Sequence, residues 1–294
     1  MLLNIALLLF LSLAWASNYV FIAWVDDALP ALTATASITL TAAFFLMIGV
    51  RFGMRRPLWP IMRDRPAVPL LMAATAVALP QLSVVAAEDS ISPSLATVIG
   101  TTVPILTFLV AVFLLRTVPL RWMNLLGVAI AVAGIIVFAD PSQLLHESAE
   151  LSGIAIMVSG GVVFVINGIY AANRSADLDP YALSAWVMTF AAIGLTIIAL
   201  LVDGGPSLAP QGREVAGIAL AGFVGTGLAY LLYYALIGRA GASFTALYAF
   251  LVPPFGVLFT VLFDDGTLSL RHVVGLVIVL CGLWFVMRPG TAAT

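Results

Sequence analysis

Apolar residues do not alternate with polar ones along this chain; they run on in blocks of about 20, the length that crosses a bilayer as a helix, broken by short polar stretches. Ten such blocks are legible, at roughly 2–25, 29–50, 66–87, 91–115, 121–138, 151–172, 180–202, 214–237, 241–263 and 270–287. The pattern predicts an all-α integral membrane protein of ten transmembrane helices. The blocks also repeat. A shift of 149 residues carries Asn18 to Asn167, Trp15 to Phe164, Gln81 to Tyr230 and Val103-Pro104 to Val252-Pro253. It likewise carries Ser94 and Thr97 to Ser243 and Ala246. Gly127 and Gly134 answer to Gly275 and Gly282 after one residue of slippage. The chain therefore reads as two copies of one unit, 1–140 and 150–294.

Composition agrees with the pattern. The chain is 63% hydrophobic and 9% charged, with mean hydropathy +1.15, more apolar surface than a water-soluble fold of 294 residues can bury. The ten blocks use most of its length, so no soluble domain is expected. A net charge of −2 implies no nucleic-acid partner. The single cysteine, Cys281, excludes an internal disulfide. Leu2–Leu13 followed by Ala14-Trp15-Ala16 has the look of a signal-peptide core. The counterpart of Asn18 at Asn167 places this segment in the fold instead.

Charge adds orientation. All twelve basic residues are Arg. With the N-terminus in the cytoplasm and ten spans, ten of them fall inside; only Arg213 and Arg271 fall outside. Five spans per half is an odd number, so the second copy enters from the opposite side. The expectation is two inverted five-helix repeats around a central cavity, both termini cytoplasmic, in a bacterial inner membrane.

Ten helices in two halves, Pro104 and Pro253 in the fourth helix of each, and the Gly127–Gly134 and Gly275–Gly282 fifth helices together resemble the drug/metabolite transporter superfamily, closest to its EamA-type exporters. Within that group the chain looks most like the bacterial aromatic amino acid exporters. The resemblance implies export of an amino acid, probed first with phenylalanine, tyrosine and tryptophan. Another neutral metabolite, such as a threonine-like or cysteine-like amino acid or a nucleobase, is the alternative. The family often carries a Glu at the end of helices four and nine; here those places hold Leu115-Arg116 and Asp264-Asp265.

The middles of the ten blocks carry no Asp, Glu, Lys, Arg or His. A charge there costs about 2.5–3.5 kcal/mol on insertion scales and is kept where function needs it. Small multidrug exporters, distant relatives, place a Glu in the first helix; this chain has Ser17-Asn18-Tyr19. Transport without an intramembrane charged relay is expected. The candidate substrate-binding residues are Trp15, Asn18, Tyr19, Gln81, Phe164, Asn167, Tyr230, Tyr234, Phe244 and Tyr248. Rings with hydroxyls suit an aromatic solute with a polar end. Packing is the competing reading for each ring, and for the two Asn an ordinary interhelical hydrogen bond worth about 1 kcal/mol.

Pro80, Pro104, Pro253 and Pro254 lie inside predicted helices, where each removes a backbone bond and bends the axis; they are the candidate hinges. His146 and His272 have no partner spacing for a metal, and no nucleophile stands beside a base. No catalytic residue, metal or cofactor is expected, and an intramembrane enzyme is a remote alternative. Gly217-x3-Ala221-x3-Gly225-x3-Ala229 in helix eight and Gly127-x3-Ala131 in helix five serve internal packing or a dimer face. A monomer in the lipid bilayer is the expectation, a dimer the alternative.

Overall fold

The computed structural model describes residues 1–25, 28–87, 90–91, 95, 99–100, 102–110, 121–138, 151–175, 177–204, 211–263 and 268–287. Ser94, Thr97, Leu115-Arg116, His146 and Asp264-Asp265 lie outside them. The described residues are helical, with no β-strand among them. The helices are α1 (Leu2–Ala16, continued by Asn18–Phe21), α2 (Ala31–Ile48), α3 (Ala67–Ala87), α4 (Thr102–Leu109) and α5 (Trp122–Phe138). The second half supplies α6 (Leu151–Arg174), α7 (Pro180–Val202), α8 (Arg213–Thr245), α9 (Tyr248–Phe263) and α10 (Leu270–Met287). Among the described residues, six of these are long and apolar enough to cross a membrane: α1, α2 with its extension to Gly53, α3, α6, α7 and α8. The chain is a multi-pass membrane protein. Outside the predicted blocks, a short helix Trp59–Asp64 precedes α3.

Among the described residues, wide π turns span Gly49–Gly53 after α2, Ala73–Ala78 within α3 and Ala221–Leu228 within α8. The last two are equivalent, since 149 added to 73 gives 222 and added to 78 gives 227. Near its end α8 breaks at Gly241, whose φ of 82° and ψ of 166° suit a residue without a Cβ. The chain turns there, so α9 starts at Tyr248 rather than at the predicted 241.

Equivalent helices pack on each other. α2 lies along α7, and α5 along α10. On α5 and α10 the glycines meet in reverse order: a Cβ at Gly127 would lie 2.7 Å from Gly282 O, and one at Gly134 would lie 2.9 Å from Gly275 O. Ascending numbers on one helix face descending numbers on the other, so the two run antiparallel with backbones in contact. The small-residue edge of α8 is likewise internal. Gly217 meets Phe21 and Val25 at the end of α1, and Gly222 meets Ile38 and Thr41 of α2. These stripes serve packing within the chain, which resolves the choice that the sequence left open for them.

The first helix of each half crosses into the other half. α1 packs against α8 and α9, and α6 against α3 and α4. At one end of the bundle, Asp203 after α7 receives the Thr33 backbone N–H at 2.9 Å and the Thr33 hydroxyl at 2.6 Å. A carboxylate thus caps the N-terminus of α2, where orphan N–H groups and the helix dipole favour negative charge. Asp203→Ala is expected to lower stability by about 1–2 kcal/mol, read as a lower Tm in detergent; an unchanged Tm would remove the cap from the account. At the other end, Arg56 meets Asp179 at 3.3 Å and Arg65 meets Asp177 at 2.9 Å. These exposed pairs add little energy. They do show that the α2–α3 and α6–α7 connections share one face.

Candidate functional site

The centre of the bundle is a cluster of rings contributed by both halves. Trp15 of α1 lies 4.2 Å from Tyr248, 5.5 Å from Tyr230, 5.5 Å from Tyr233 and 6.4 Å from Phe164, between ring centroids. Tyr233 lies 5.3 Å from Phe164, 5.2 Å from Tyr234 and 6.4 Å from Tyr248. Most of these pairs are tilted or edge-to-face, the arrangement that ring quadrupoles favour. Tyr233 is the hub that the sequence-derived site omits. Its signal was present: Tyr230, Tyr233 and Tyr234 stand at i, i+3 and i+4, on one helical face.

Polar groups surround the rings. Asn167, 1% exposed, lies beside the Tyr233 and Tyr234 hydroxyls. The Thr75 hydroxyl is 2.8 Å from Leu71 O and 3.3 Å from Asn167 Oδ1. Neither Asn167 Nδ2 nor the Tyr234 hydroxyl has a partner of hydrogen-bonding geometry, and the same holds for Asn18 Oδ1. An unmet buried polar atom costs about 1–3 kcal/mol, and Asn167 Nδ2 and the Tyr234 hydroxyl carry that cost beside the rings.

Two backbone carbonyls face the same region. The Tyr230 hydroxyl donates to Ala76 O at 2.6 Å, and Asn18 Nδ2 donates to Gly225 O at 3.1 Å. Residues 76 and 225 are themselves related by 149. Each carbonyl is freed from its ordinary helical donor, four residues on, by a different means. Pro80 has no N–H to give Ala76 O. Ala229 gives its N–H to Thr226 O, inside the π turn, rather than to Gly225 O.

The remaining sequence-predicted residues stand further out. Tyr19 is 42% exposed and lies against Gly256 of α9, away from the ring cluster. Gln81 is half-buried on α3, and Phe244 is half-buried past the break at Gly241, packed on the core. Pro80 lies two residues past the π turn of α3. Pro253 and Pro254 are buried within α9, and Pro104 falls inside α4. Trp186 donates to Leu58 O at 2.9 Å in the α2–α3 connection, so it anchors a loop and does not line the centre.

Beside the rings, between Val103, Thr107, Phe164, Gly168, Tyr233 and Tyr248, is a cavity of about 10 Å³, room for a single water. Larger hollows lie elsewhere among the described helices. One of about 340 Å³ lies between α1, α8 and α9, and one of about 250 Å³ between α4 and α6. Their walls are almost wholly apolar, so they offer no anchor for a polar solute. Among the described residues, the space beside the rings takes no more than that one water.

The comparison with known families decides what kind of membrane protein this is. The EamA-like transporter family matches residues 2–139 and again residues 151–288. The chain belongs to the EamA-like transporter family. The two matches are offset by 149 residues at both ends (151 − 2 and 288 − 139), the same shift that pairs Asn18 with Asn167. This transporter is 25% identical over 201 residues to an uncharacterized transporter of Archaeoglobus fulgidus, a stretch covering 68% of this chain and 70% of that one. A solved crystal structure shares its fold, with a TM-score of 0.77 at 16% identity over 97% of this chain and 96% of the other.

Proposed function

We propose that this EamA-family transporter exports aromatic amino acids by alternating access across a bacterial inner membrane. Its ten spans form two inverted five-helix repeats with both termini in the cytoplasm. The observation that carries the reading is the ring cluster at the crossing of the halves, with unmet Asn167 and Tyr234 groups at its edge. Trp15, Phe164, Tyr233 and Tyr248 would hold the aromatic side chain. Asn167, Asn18 and Tyr234 would meet the ammonium and carboxylate. Tyr19, Gln81, Tyr230 and Phe244 would border the path. Antiparallel contact between the equivalent helices α5 and α10 supports an inverted repeat. The Arg56–Asp179 and Arg65–Asp177 pairs join two connections that the arginine bias places inside.

The central helices carry no ionisable relay, so the solute moves down its own gradient. Pro104, Pro253 and Pro254, with Pro80, act as hinges while the rings part. The test is counterflow in proteoliposomes loaded with phenylalanine, tyrosine or tryptophan, with and without a proton gradient. Saturable counterflow of all three, unaltered by collapsing the gradient, is expected, and slowed by the Pro104→Ala, Pro253→Ala double variant. Movement of threonine, cysteine or a purine with no movement of the three aromatic amino acids would overturn the substrate. Loss of export with the proton gradient, at a fixed solute gradient, would overturn the uncoupled mechanism.

A further inference from the structure

Equivalent carbonyls at Ala76 and Gly225 are both freed from helical bonding and both taken by a side chain from the other half, yet by different side chains. Tyr230 takes Ala76 O, and Asn18 takes Gly225 O. The repeat equivalents of these two donors are Gln81 and Asn167 (230 − 149 and 18 + 149). Asn167 stands near its exchanged target. Asn167 stops one residue short of Ala76, at the Thr75 hydroxyl, 3.3 Å away, and its Nδ2 has no partner. Gln81 lies on α3 five residues past Ala76, as Tyr230 lies five past Gly225.

A carrier made of inverted repeats reaches its opposite state when each half adopts the conformation of the other. Under that exchange the donor set {Tyr230 to Ala76, Asn18 to Gly225} becomes {Asn167 to Ala76, Gln81 to Gly225}. We propose that the Ala76 and Gly225 carbonyls are the switch points of the transport cycle, held by Tyr230 and Asn18 in the arrangement described here and by Asn167 and Gln81 in the oppositely open one. Two hydrogen bonds are lost and two gained, so neither state leaves a freed carbonyl bare and the two stay close in energy, as cycling requires. The unmet Asn167 amide is the donor waiting for its turn. Tyr230, Asn18, Asn167 and Gln81 then select the state through their bonds, and Asn18 and Asn167 serve the solute as well. The inference rests on the alternating-access part of the proposed function and not on the identity of the solute.

The test uses the full chain in lipid nanodiscs, without solute, on a Cys281→Ala background. Nitroxide pairs at Ala67→Cys with Gly238→Cys, and at Ala86→Cys with Ala216→Cys, report the two mouths as distance populations. All four positions are exposed, one pair at each end of α3 and α8. Tyr230→Phe and Asn18→Leu are each expected to shift the ratio toward the oppositely open state by about fivefold, the weight of one ordinary hydrogen bond. Asn167→Leu and Gln81→Leu are expected to shift it about fivefold the other way. Tyr230→Phe combined with Asn167→Leu should return near the starting ratio. Shifts of the same sign from both groups, or an unmoved ratio in all four, would overturn the proposal. If Asn167→Leu does not fold, Gln81→Leu carries the same sign test. Opposite shifts with no counterflow of aromatic amino acids would sink the solute and leave the switch standing; counterflow without the shifts would do the reverse.

Discussion

Trp15→Ala is expected to lower efflux of aromatic amino acids at least about tenfold while Trp15→Phe retains most of it. Trp15 reaches Tyr248, Tyr230, Tyr233 and Phe164, so its indole joins rings of α6, α8 and α9 to α1. Each well-formed aromatic pair is worth about 0.5–1.5 kcal/mol beyond area burial. Losing three or more such pairs, about 1.5–4.5 kcal/mol for three, exceeds the 1.4 kcal/mol that a tenfold change represents. The truncation also leaves a hole that can lower stability by about 3–5 kcal/mol, so rates are compared at equal amounts of monodisperse protein. Wild-type efflux from a correctly folded Trp15→Ala protein would show that the cluster is packing and not a solute site. Tyr233→Ala, at the hub, belongs to the same test and should fail in the same way.

Gly282→Val is expected to abolish recovery of folded protein, the largest stability effect in the molecule. A Cβ at Gly282 would sit 2.5 Å from Ala131 N and 2.5 Å from Gly127 O, both backbone atoms that cannot step aside without moving α5. Overpacking a tight contact costs about 1–3 kcal/mol where side chains can shift; here a helix must move, and the cost is greater. Gly194→Ala on α7 is the control, because a Cβ there meets nothing within 4 Å. Size-exclusion profiles in detergent decide the matter. A monodisperse Gly282→Val peak at wild-type yield would mean that α5 and α10 are held apart in the membrane.

How much of the site was legible depended on the kind of signal. Trp15, Phe164, Asn18 and Asn167 came from the 149-residue shift, which pairs positions without knowing which way they point. Tyr230 and Tyr234 came from spacing. Tyr233, absent from the sequence-derived site, shares one helical face with Tyr230 and Tyr234 at i+3, and that spacing is the signal that adds it. Tyr19 is among the sequence-predicted site residues, yet it is exposed and lies against Gly256 of α9.

By itself the sequence determined the class, the duplication and the chemistry available at the centre. Apolar length and the energetic cost of bare backbone in lipid leave a chain of this composition only helices, and a 149-residue echo survives because each half packs by the same rules. Only the tertiary structure decided that the first helix of each half crosses to the other, that the glycines of α5 and α10 meet each other, and that α3 and α8 widen into π turns. Those are choices among contacts of nearly equal hydrophobic value, made by backbone approach, a missing proline N–H and the need to give freed carbonyls a partner. The donors that answer Ala76 and Gly225 lie far off in the chain, at Tyr230 and Asn18, where local pattern carries no information about them.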